Sequence, residues 1–152
     1  MRKKLSAVLL VLLLLCLAPG ALAQTVPCPR AHLSLTVPED WVLVPLDGTE
    51  DPGLCLLLEN GDMNLSVYID SADGLLQDSF QVLTGDDRES TEVSYAGVRM
   101  TCVSGESAEG AYRIYTWLDE SSQVQFYFLI TGTPRSARGL IEDIMGSIVF
   151  DP

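Results

Sequence analysis

Lysine is all but missing from this chain: the only two, Lys3 and Lys4, fall within the first four positions. Histidine occurs once, at His32, and cysteine four times, at Cys16, Cys28, Cys55 and Cys102. One histidine and scattered cysteines do not make a zinc site, which needs several ligands at characteristic spacing. A nucleophile–histidine catalyst would have only His32 as its base, and the sequence places no partner beside it. Glycine-rich phosphate loops are absent too, since Gly97, Gly105 and Gly110 lack the spacing and the following helix. The acids fall in separate turns: Asp47, Glu50 and Asp51; Asp70, Asp73 and Asp78; Asp86, Asp87 and Glu89. None has EF-hand spacing, so they read as solvated turns, with Asp73 a candidate helix cap and no tight calcium site expected. No catalytic residue, metal ligand or cofactor is assigned.

What is present begins with a leader. Arg2, Lys3 and Lys4 precede an apolar run from Leu5 to Leu17, broken by Pro19 and Gly20 and followed by Ala21-Leu22-Ala23. This is the pattern of a cleavable secretory signal with its cut between Ala23 and Gln24. A membrane anchor would need about 20 apolar residues without such a break. Lipidation at Cys16 is disfavoured by the bulky Leu15 before it. Residues 1–23 are therefore expected to be a signal peptide, 24–30 an extended arm and 31–152 one domain, secreted or outside the cell envelope.

Cleavage would leave 129 residues, enough for one core. They carry six arginines against 21 acidic residues, a formal charge of −15. That repels nucleic acid and anionic membrane surfaces. The partner is expected to be a protein or a small-molecule ligand, with no stable membrane anchor after cleavage. Three cysteines remain, an odd count that leaves at least one unpaired within the chain. Cys102 shares a face with Val98 and Met100 and reads as a core thiol. Cys55, in phase with Leu57 and Glu59, reads as outward-facing. A Cys28–Cys55 disulfide would pin the arm; three reduced thiols are the alternative.

Periodicity gives mostly strands. Leu33, Leu35 and Val37 alternate with polar residues, and Pro38-Glu39-Asp40 turns the chain into Trp41–Val44. The apolar run 54–59 reads as a central strand. Asn60-Gly61 is a hairpin signal leading into 63–69. Leu75, Leu76, Ser79, Phe80 and Leu83 fit one helical face, ended by Gly85. Alternation returns over 92–105, bent at Ala96-Gly97, and over 111–118. A polar loop at 119–123 leads to an apolar strand, 124–131. Thr133-Pro134 opens a last helix with Leu140, Ile141, Ile144 and Met145 in one stripe. The expected fold is α+β: an antiparallel sheet of about six to seven strands with two packed helices.

Three segments carry a resemblance: LSLTVPEDW at 33–41, YAGVRMTCV at 95–103 and LIEDIMGSIVF at 140–150. In this order they resemble the PsbP-like fold, shared by PsbP, the Ran-binding Mog proteins and uncharacterised bacterial secreted proteins. These segments record packing and turn geometry, so no functional residue carries over. The resemblance implies a non-enzymatic binding or accessory protein; a small secreted hydrolase using paired carboxylates is the alternative, motivated by the number of acids. Tyr115 and Trp117, on one strand face, are the candidate ligand platform, with core packing the competing reading. Asn64-Leu65-Ser66 matches the glycosylation triplet, a pattern common by chance.

Overall fold

The computed structural model describes residues 23–47, 51–74, 76, 79–80, 88–107, 110–132 and 137–151. Residues 1–22 of the expected leader, 1–23, lie outside them, and Ala23 opens the first strand. Ten strands are described: β1 (Ala23–Cys28), β2 (Leu33–Pro38), β3 (Val42–Leu43), β4 (Leu54–Glu59), β5 (Asn64–Ser71), β6 (Glu89–Tyr95), β7 (Val98–Ser107), β8 (Gly110–Asp119), β9 (Val124–Thr131) and β10 (Val149–Phe150). The helix α1 spans Arg138–Gly146.

The strands form two sheets. A seven-stranded antiparallel sheet runs β3-β4-β5-β9-β8-β7-β6, and a three-stranded sheet runs β1-β2-β10. The large sheet is built from hairpins. Gly61 takes φ 60° in the β4–β5 turn, where the Asn60 N–H donates to Met63 O at 3.0 Å. Ala96 and Gly97, at φ 51° and 78°, make the two-residue turn between β6 and β7. Positive φ at both central residues matches the strand twist, which is why the sequence bends there.

Alternation divides the large sheet into two apolar faces. One carries Leu65, Val67, Met100, Cys102, Tyr115, Phe128 and Ile130 and packs against the small sheet and α1. The other carries Tyr112, Ile114 and Tyr127, with Phe80 against them. The helix contributes Ile141, Ile144 and Met145, all buried, as its stripe predicts.

Several expectations need correction. Two packed helices are not borne out: α1 is the one helix whose bounds are described, with Leu76, Ser79 and Phe80 also helical. Most of the stretch expected to form the first, including Leu75, Leu83 and Gly85, lies outside the described residues. The arm at 24–30 is not a loose extension. Val26 and Cys28 are buried while Thr25 and Pro27 face out, and the segment pairs with β2 from Ala23↔Pro38 to Cys28↔Leu33. Pro27 is compatible with this because β1 is an edge strand. The Asp70 carboxylate accepts the Leu76 N–H at 3.0 Å and the Ser71 N–H at 2.8 Å; Leu75, Gln77 and Asp78 of the helix that Asp73 is expected to cap lie outside the described residues.

Cys55 also turns inward, not outward. Leu54 pairs with Tyr68 and Leu56 with Val67, so one extra residue is accommodated at Cys55. This bulge breaks the two-residue alternation and buries Leu54, Cys55 and Leu56 in succession.

Candidate functional site

Register places Trp117 on β8 opposite Phe126 on β9. Their rings stack with centroids 4.9 Å apart and planes 21° apart. Phe150 reaches the same place from the end of the chain. β10 pairs with β2 at Phe150↔Leu33, and its ring lies 4.7 Å from Trp117 and 5.9 Å from Phe126. Residues 33 positions apart along the chain thus form one aromatic wall.

The opposite wall is a 3-10 turn, Pro29–Ala31, followed by His32 in left-handed backbone at φ 48°. The His32 carbonyl accepts the Asp151 N–H at 2.8 Å, which fastens the turn to the chain end. Arg30 is anchored in the other direction: its guanidinium donates to Leu54 O at 2.9 Å and to Pro52 O at 2.5 Å. The walls flank a half-open cavity of about 480 Å³, lined by Arg30, His32, Trp117, Phe126, Phe150 and Asp151 among others. Small-molecule sites occupy about 300–1,000 Å³ and combine an apolar lining with a few polar groups, so both size and lining are suitable.

Asp119 also lines the cavity. Its carboxylate accepts the Ser122 hydroxyl at 2.6 Å, and the Ser121 hydroxyl and N–H at 2.8 and 3.0 Å. These bonds, Ser122's first, stabilise the charged form and hold Asp119 below the ordinary carboxylate range. The general acid of a glycosidase needs the reverse shift. Among the described residues, no group of three His, Cys, Asp or Glu side chains is placed to hold a metal ion.

The two aromatics singled out from sequence separate here. Tyr115 is 1% exposed, packed edge-to-face on Tyr95 at 5.8 Å, and offers no surface. Its hydroxyl is pushed well above the usual phenol range, chiefly by burial. Trp117, two residues nearer the hairpin loop, lines the cavity. Sequence reading missed Arg30, Phe126, Phe150 and Asp151 as site residues, because no local spacing joins positions 30, 126 and 150.

Behind Arg30 lie Cys28 and Cys55. Both are free thiols buried in the same core cluster, and each perturbs the ionisation of the other. The Cys55 thiol also donates to Gly53 O at 3.3 Å. Interaction with Cys28, aided by the Arg30 charge, lowers the Cys55 pKa; the same interaction, together with burial, raises that of Cys28. Cys102 is separate, and its pKa is raised by burial.

No protein-family model and no curated protein matches the sequence. Solved structures do. Cyanobacterial PsbP (CyanoP) from Synechocystis superposes with a TM-score of 0.60 at 14% identity, over 88% of this chain and 95% of that one. The Ran-binding protein Mog1p of Saccharomyces cerevisiae superposes with a TM-score of 0.59 at 9% identity, over 86% of this chain and 96% of that one. The chain therefore has the fold shared by PsbP and Mog1p. At such identity the likeness is one of fold, and function must be argued from the site.

Proposed function

We propose that the protein is a secreted, non-enzymatic binding domain whose cavity takes a small ligand with a flat apolar body. The observation that carries this reading is the stacked wall of Trp117, Phe126 and Phe150 facing a polar turn across about 480 Å³. Aromatic faces bind planar groups over a large area, and the few polar groups opposite would orient them. The fold supports a binding role, since Mog1p on the same scaffold is a Ran-binding protein. The hydrolase alternative gains nothing from Asp119, which is held in its charged form. Export rests on the leader pattern and predicts a mature N-terminus at Gln24; N-terminal sequencing reading through Cys16 as a lipidated start would overturn it.

Binding can be read through Trp117 itself. Trp41, the other tryptophan, is buried in the core, so Trp41→Phe leaves Trp117 as the sole reporter. Anilinonaphthalene sulfonate, a planar aromatic anion, should then bind one to one with saturable energy transfer from Trp117. Removing one ring with Phe150→Ala should weaken binding about tenfold, the worth of an aromatic contact. No saturation, or equal binding by a folded Phe150→Ala protein, would contradict the assignment.

A further inference from the structure

We propose that Cys28 and Cys55 form a site of oxidative modification, closing to a disulfide that ties the first strand and its following turn to β4 when the protein meets a small disulfide oxidant. The two thiols come from different sheets, Cys28 from the last position of β1 and Cys55 from the bulge of β4. Both local features turn the two side chains into the same core cluster. Alternation along β1 points Cys28 inward, and the bulge turns Cys55 inward where regular pleating would turn it out. Arg30 already joins the same two elements through its bonds to Leu54 O and Pro52 O. Both side chains lie in one buried cluster and each perturbs the ionisation of the other, so the two sulfurs are neighbours from which a bridge can form.

The chemistry is asymmetric. Cys28 is 0% exposed and Cys55 9%, so Cys55 is the sulfur that an oxidant reaches. Its lowered pKa makes it the better nucleophile, while Cys28 stays protonated. With glutathione disulfide, the Cys55 thiolate attacks one sulfur and expels a glutathione thiolate, leaving a mixed disulfide on Cys55. Cys28 then loses its proton to that thiolate or to water and attacks the Cys55 sulfur. The second glutathione leaves as thiol. The protein has lost two electrons and two protons, and one glutathione disulfide has become two thiols. Export to an oxidising compartment, as the leader implies, would supply such an oxidant. The bridge anchors the turn that forms one wall of the cavity, yet the inference is independent of any ligand.

The test uses the mature wild-type chain, reduced or incubated with glutathione disulfide, then alkylated in denaturant and weighed. Oxidation should lower the intact mass by about 2 Da before alkylation, and alkylation should then add one group, on Cys102, instead of three, with one peptide linking Cys28 to Cys55. The oxidised protein should melt about 10 °C higher than the reduced one, the shift expected for a bridge of this loop length in a domain of this size. A Cys28→Ser, Cys55→Ser protein should melt at one temperature with or without oxidant. Three alkylatable thiols after oxidation, a stable glutathione adduct on Cys55, or a bridge through Cys102 or between chains would overturn the proposal.

Discussion

Tyr115 and Trp117 lie two positions apart on one face of β8, and their surroundings differ because Trp117 is nearer the end of the sheet. Tyr115 sits among core side chains and Tyr95; Trp117 meets the cavity and the chain end. Burial raises the phenol pKa of Tyr68, Tyr95, Tyr115 and Tyr127. A raised pKa means that the folded state keeps protons which the unfolded chain releases above about pH 10, so their contribution to stability is intact below that pH and lost as pH rises. Tyrosinate absorbance should lag in the folded protein and appear with unfolding, while the urea midpoint falls from pH 9 to 11. A folded protein whose tyrosines are half ionised at pH 10 would contradict their burial. Cys55 gives a second residue-scale outcome. In reduced protein it should react with iodoacetamide at a half-maximal pH below the ordinary thiol value of about 8.5. A dependence centred at or above that value would contradict stabilisation by Cys28 and Arg30.

Among the elements, α1 shows how a short helix is held. Nine residues are too few to be stable alone in water, so burial of its stripe must supply the stability. Ile144 is 2% exposed, and Ile144→Ala should cost about 2–5 kcal/mol in denaturant melts. Glu142, paired with Arg138 at 2.8 Å on the exposed side, should cost less than about 0.5 kcal/mol as Glu142→Ala. Ser147 closes the helix differently: its hydroxyl donates to Ile144 O at 2.7 Å and accepts the Thr36 N–H at 2.8 Å. It continues the β10–β2 register two residues beyond the strand. Ser147→Ala strands that N–H and should cost about 1–2 kcal/mol. If Ile144→Ala melts like the wild type, α1 does not cover the core. The stripe of α1 and the hairpins at Asn60-Gly61 and Ala96-Gly97 were legible in the sequence, because each depends on local periodicity or local φ. The β1 strand was hidden by Pro27 and Pro29, which argue for a coil until an edge position makes them harmless. The inward turn of Cys55 was hidden by a bulge, which depends on register with β5 and has no mark of its own in LCLLLE.

At the scale of the whole molecule, the two described sheets and α1 pack around the main core, and the edge strands of the large sheet are short or charged. β6, at one edge, exposes Glu89 and Glu92; short β3 forms the other. Charged and short edges resist strand addition. The described helix is not long and apolar enough to cross a membrane. Fold-level resemblance was visible because the turn–Trp segment, the middle strand and the closing helix keep their order, and solved structures bear it out. The cavity was not visible, for a topological reason. Its walls come from a turn at the start, a hairpin in the middle and a strand at the end, brought together by the β2–β10 pairing and by the bonds that Arg30 and His32 make. That convergence as a ligand site is the central claim, and shift mapping by two-dimensional amide NMR with a mixture of small aromatic fragments tests it most directly. Perturbations should gather on the Trp117 indole and on the amides of His32, Phe126, Phe150 and Asp151; perturbations gathered instead at the exposed Val42-Leu43 edge, or spread without a centre, would contradict it.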